Sequence, residues 1–78
     1  MDSFILNLTQ QPASAGGNYE VHNLDNLKTS CHEDEIIIRE DLGRQVNSDY
    51  AVAEAQARFP LLTPDIDGCY WCTDSHSK

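Results

Sequence analysis

Two cysteines three positions apart, Cys69 and Cys72, constrain this chain more than any other feature, because they allow its last stretch only two useful shapes. They lie in Asp67-Gly68-Cys69-Tyr70-Trp71-Cys72-Thr73-Asp74-Ser75-His76, which holds two of the three cysteines, the only tryptophan and one of the three histidines. A backbone that turns between them brings both sulfurs to one point, where turn amides stabilise thiolate charge and a tetrahedral zinc ion finds two of its four ligands. An extended backbone alternates its side chains, so Cys69 and Trp71 face one way, Tyr70 and Cys72 the other, and the sulfurs share no ion. The bulk of Tyr70 and Trp71 suits a strand better than a tight thiolate turn. Both shapes remain open at this point.

Length sharpens the question. A chain of 78 residues makes one domain, 1–78, and buries only a little over ~60% of its unfolded surface, so a metal or a partner subunit is a natural supplement to its core. Thirteen acidic residues against five basic ones give a net charge of -8. Such a surface repels phosphates and anionic lipid, which disfavours nucleic-acid and membrane partners and is compatible with a basic protein partner. No apolar run approaches the ~18 residues of a membrane span, and Met1-Asp2-Ser3 carries an acid where a signal peptide carries Lys or Arg. The expected location is cytoplasmic. There, an odd number of cysteines argues for reduced thiols or metal ligands over a disulfide framework.

Along the chain, Phe4 to Thr9 alternates as a strand, and Tyr19 to His22 resumes the alternation beyond a Pro12 and Gly16-Gly17 loop. Asn23 to Asp34 is a polar excursion that carries Cys31 and His32. Glu35 to Arg39 contains three consecutive isoleucines and predicts a central strand, stopped at Gly43. Ser48 is the expected N-cap of a helix running to Phe59, with Asp49 in its first turn, Glu54 and Arg58 as an i,i+4 pair, and Pro60 as its end. Gly68 to Cys72 is the fourth candidate strand. The expected fold is α+β: an antiparallel sheet of three to four strands with one helix packed on one face. Its expected core is Phe4, Leu6, Leu8, Val21, Ile36, Ile38, Val52, Ala55 and Phe59.

The ordered pieces Tyr19-Glu20-Val21-His22, Asp41-Leu42-Gly43, Ala51-Val52 and Asp67-Gly68-Cys69-Tyr70-Trp71-Cys72 with His76 carry a resemblance. In that order they resemble a family of small, mostly uncharacterised bacterial proteins, a match over roughly residues 5 to 77 that implies no activity. That resemblance implies further cysteines in relatives at positions held here by Asn26, Ser48, Thr73 and Ser75. On that reading this chain has lost part of a thiol or metal cluster.

For chemistry, the candidate metal ligands are Cys69, Cys72, His76 and His22, with Cys31 able to complete the set and zinc as the implied ion. Set against this, reduced cysteines pack as small hydrophobes and need mean nothing more than core. Alternation places His22 opposite Tyr19 and Val21, which predicts an exposed imidazole, and His32 falls in an acidic, solvated run. A redox dithiol is disfavoured because too few residues follow Cys72 to form the helix that would lower a thiol pKa. No nucleophile motif or phosphate loop is present, so no enzyme is expected. Two functions remain: a non-catalytic binding or adaptor domain with a degenerate Cys/His site, or a metal-free acidic interaction or inhibitor protein that engages a basic surface. Tyr70 and Trp71 are the candidate interaction residues, and a homodimer would cover them if they lay on an edge strand.

Overall fold

The computed structural model describes residues 1–9, 19–31 and 36–75. The Pro12 and Gly16-Gly17 loop, His32 with its acidic run, and His76 lie outside the described residues. The chain forms a strand β1 (Asp2–Asn7), a strand β2 (Tyr19–Asn23), a 3-10 turn (Thr29–Cys31) and a strand β3 (Arg39–Gln45). Helix α1 (Ser48–Arg58), a 3-10 turn (Pro60–Asp65) and a short strand β4 (Ile66–Gly68) follow.

The four strands make one sheet in the order β3-β1-β2-β4. β1 is antiparallel to both its neighbours, but β4 runs parallel to β2, so the sheet is mixed and the antiparallel expectation is corrected. A short parallel edge strand needs a crossover, and α1 with the 3-10 turn after it supplies one. The fold class is α+β, with α1 against one face of the sheet. Phe4, Leu6, Val21, Leu42 and Ile66 bury themselves against Ala51 and Ala55, whose small side chains let the helix lie close. Leu8, Tyr19, Val52, Phe59 and Leu62 pack around that cluster half-buried.

The helix starts one residue earlier in its capping than expected. Asn47 is the N-cap, its Oδ1 accepting the Tyr50 amide at 3.1 Å, while Ser48 is already the first helical residue. Arg58 donates to Glu54 at 2.7 Å and to Glu40 at 3.1 Å, so the expected pair extends across to β3.

The third strand departs most from expectation. The isoleucine run does not pair mid-sheet: Ile36 is buried, but Ile37 and Ile38 are 81% and 58% exposed, which removes Ile38 from the core. Their two amides both donate to Thr9 Oγ1, at 3.1 and 2.9 Å, in a segment that leads into the sheet. The strand proper begins at Arg39 and passes through the glycine expected to stop it. Gly43 has φ +72°, and the pairing jumps from Phe4↔Gly43 to Ile5↔Asp41, leaving Leu42 as the extra residue of a β-bulge. Asp41 Oδ1 accepts the Gly43 amide at 2.7 Å and holds the bulge. A glycine in the left-handed region therefore kinks an edge strand here, and Leu42, unassigned by the sequence reading, is almost fully buried.

Candidate metal centre

β2 and β4 bring the site together. In the β1–β2 register Phe4, Leu6 and Val21 face the helix, so Ile5 and its partner His22 face the other way. That face is not open to solvent. His22 is 1% exposed, which corrects the expectation of a solvated imidazole; the alternation was right, but the sheet is covered on both sides at this strand.

The cover comes from the chain end. Ile66, Asp67 and Gly68 pair with Tyr19, Glu20 and Val21, and the Cys69 amide extends the ladder by donating to the Val21 carbonyl at 2.9 Å. The backbone then turns. The Thr73 amide and Thr73 Oγ1 both donate to the Cys69 carbonyl, at 3.1 and 2.7 Å, and close a loop around Tyr70 and Trp71. The expected strand over Gly68 to Cys72 thus ends at Gly68, and the cysteines sit in the turn that lets their sulfurs converge. Gly68 is needed there: a Cβ would fall 2.6 Å from Thr73 Oγ1 and 2.8 Å from the Ser75 backbone. The returning tail is pinned to the helix start, with Ser48 and Ser75 hydroxyls 2.6 Å apart and Ser75 Oγ donating to Asp49 at 2.5 Å.

The third cysteine arrives from the excursion after β2. The Cys31 amide donates to the Lys28 carbonyl at 3.0 Å in a 3-10 turn, and Cys31 Sγ lies 3.7 Å from Cys69 Sγ. Cys72 Sγ lies 3.6 Å from His22 Nδ1. The ligand atoms of His22, Cys31, Cys69 and Cys72 all fall within 4.8 Å of one another, and all four residues are buried. A zinc ion with three sulfurs and one imidazole nitrogen at ordinary bond lengths has S···S edges of about 3.8 Å and S···N edges of about 3.6 Å. The two measured approaches match those edges.

Backbone donors complete the pattern. The Asn23 amide points at Cys72 Sγ at 3.4 Å and the Lys28 amide at Cys31 Sγ at 3.5 Å, contacts that offset thiolate charge around a bound cation. Asn26 Nδ2 donates to the Cys72 carbonyl at 3.2 Å and ties the excursion to the turn.

Without a cation the four groups are in conflict. Cys69 is held down to about 3, first by the thiol proton of Cys72 and then by His22 and the amides of Trp71 and Cys72, which together outweigh its burial. Cys72 is pushed up because it donates that proton and is buried, and Cys31 is pushed up chiefly by burial. One thiolate is thus kept at the cost of two protonated thiols. In addition, His22 Nε2 is buried with no hydrogen-bond partner among the described residues, a defect worth about 1–3 kcal/mol for an unpaired polar atom. A dication on the three sulfurs and the imidazole resolves the charge conflict. The residues fit a metal.

Of the ligands expected from the sequence, the structure brings Cys69, Cys72 and His22 together. The fourth ligand atom in the group is that of Cys31, which the sequence offers only as an alternative to His22; His76 is outside the described residues. The signal for Cys31 was its place eight residues after the end of a strand carrying a candidate ligand. Tyr70 and Trp71 resolve the objection from their bulk by pointing outward: they are 63% and 53% exposed and stack edge to face, centroids 4.9 Å apart. They lie on a turn, so the edge-strand premise for a dimer through them is withdrawn.

Among the described residues no helix is long and apolar enough to cross a membrane. No protein-family model, curated protein or solved structure matches the chain.

Proposed function

We propose that this protein is a small non-catalytic binding module whose C-terminal turn is held by one structural zinc ion on His22, Cys31, Cys69 and Cys72. The observation that carries the reading is the convergence of four buried ligand atoms within 4.8 Å, drawn from three separate parts of the chain. Three sulfurs and one nitrogen are a donor set for zinc, and four protein ligands close the tetrahedron with no place for a substrate. The ion's role is to cross-link: a domain this short has little core to spare, and zinc binding adds directly to its folding free energy.

The turn that the ion fixes presents Tyr70 and Trp71 to solvent, and these form the contact surface of the module. The net charge of -8 selects a basic protein partner over nucleic acid or anionic membrane, in a cytoplasmic setting. The family resemblance belongs to this reading as well. The positions where it implies cysteine gather at the same turn: Asn26 bonds the Cys72 carbonyl, Thr73 bonds that of Cys69, and Ser48 meets Ser75.

The test is elemental analysis of protein purified without chelator. About one zinc per chain is expected, and chelation should lower the melting temperature. Metal-free protein whose stability ignores chelator would overturn the reading.

That result would favour a second reading, a metal-free acidic interaction or inhibitor protein. Its supporting observation is a cleft of about 350 Å³ whose lining includes the exposed carboxylates Asp2, Asp25 and Asp74. Capture of a basic partner would then weaken as salt rises.

A further inference from the structure

The four ligands are not equivalent, and their differences point to how the site opens. Cys31 is the most exposed of them, at 8% against 1% for Cys69 and 2% for Cys72, so a small oxidant reaches it first. Cys31 also sits on a single 3-10 turn outside the sheet, where a shift disrupts no strand ladder. Cys69 is fixed on both sides, its amide to Val21 and its carbonyl to Thr73. Cys72 Sγ is turned toward the Asn23 amide and His22. Both other sulfurs neighbour that of Cys31, and the one at hydrogen-bonding distance, 3.7 Å, is that of Cys69.

We infer that the zinc centre is a peroxide-responsive switch in which Cys31 and Cys69 join as a disulfide and the ion leaves. This rests on the zinc reading above. Zinc keeps its cysteines as thiolates, the form that attacks peroxide. The Cys31 sulfur attacks one oxygen of hydrogen peroxide, the O–O bond breaks, and Cys31 becomes a sulfenic acid with release of hydroxide. The Cys69 thiolate then attacks the Cys31 sulfur, the S–S bond forms, and a second hydroxide departs. Two protons from solvent convert the hydroxides to water. The two sulfurs have given two electrons to peroxide. Of the four described ligands only His22 and Cys72 remain, too few for a tetrahedral site, and Zn²⁺ is released.

The bond joins positions 38 residues apart, so a covalent link replaces the metal link between the excursion and the chain end. The turn bearing Tyr70 and Trp71 loses its second anchor at Cys72. Zinc loss therefore alters the contact surface without freeing the tail from the body.

The experiment uses the full chain, reduced, with its zinc content measured first, then treated with increasing hydrogen peroxide beside a chromogenic zinc indicator. Non-reducing tryptic mapping follows, with cleavage at Arg39, Arg44 and Arg58 separating Cys31 from the other two. The expected result is about one zinc released per peroxide consumed, a cross-link between the Cys31 and Cys69 peptides located by fragmentation, and zinc uptake restored by a phosphine reductant. Zinc retained at several equivalents of peroxide, or released with a Cys69–Cys72 bond inside one peptide, overturns the switch. A reduced protein with no zinc before any peroxide is added overturns the metal reading itself, and the switch with it.

Discussion

Gly68→Ala is the most incisive perturbation of the chain end. The added methyl lands 2.6 Å from Thr73 Oγ1 and 2.8 Å from both the carbonyl carbon and Cβ of Ser75. Two of these are less mobile than a long side-chain tip, so the tail as a whole must retreat. Overpacking of this kind costs about 1–3 kcal/mol. The retreat also strains the Thr73 bonds to Cys69 and the Ser48–Ser75 contact, each worth about 1 kcal/mol. A loss of about 2–4 kcal/mol follows, against a total of about 4–12 kcal/mol for a domain of this length. The melting temperature should then fall by roughly 8–32 °C, at about 4–8 °C per kcal/mol. Gly43→Ala is the control: nothing lies within 4 Å of the added Cβ, so only the left-handed φ of +72° is penalised, at about 1 kcal/mol. Thermal unfolding followed by circular dichroism, with and without chelator, measures both. If Gly68→Ala melts within about 2 °C of the parent, or less far below it than Gly43→Ala does, the tail does not fold back over the glycine as described.

Four further outcomes are expected. Leu42→Ala should cost about 2–5 kcal/mol in denaturant unfolding, because Leu42 is 1% exposed at the bulge, whereas Ile37→Ser should stay within about 0.5 kcal/mol of the parent. Val52→Asp should destabilise but still fold, since Val52 is half-buried and its carboxylate has a route to solvent; complete unfolding by circular dichroism would place the residue deeper than it is. Zinc should be lost as pH falls, because three thiolates and an imidazole must all take up protons to let it go, and a zinc content unchanged between about pH 7 and 4 would count against this ligand set. Trp71→Ala should leave zinc content untouched, since its ring is solvent-facing; loss of metal in that variant would make the ring part of the site.

The helix was legible because its signals are local: a carboxylate in the first turn, an i,i+4 pair, a proline after the end. β1 and β2 were legible by alternation. The third strand was not, because three adjacent isoleucines outweigh Arg39-Glu40-Asp41-Leu42-Gly43-Arg44-Gln45 in β propensity, yet only the latter, polar on its open side, suits a bulged sheet edge. The parallel sense of β4 was hidden because three residues carry no orientation signal and the direction is set by the crossover. At the site, the Cys-x-x-Cys pair was visible as spacing. Its conformation depends on Gly68 admitting the returning tail, a contact between residues that no periodicity reports.

The place of β4 late in the chain, paired with the early β2, also sets the order of assembly. β2 presents the edge that Ile66 to Gly68 must later cover, and His22 and Cys31 wait beside it, until the ribosome has delivered the closing residues. During that interval the nascent protein exposes an unsatisfied strand and two orphaned donors, the combination most prone to pairing with the wrong neighbour.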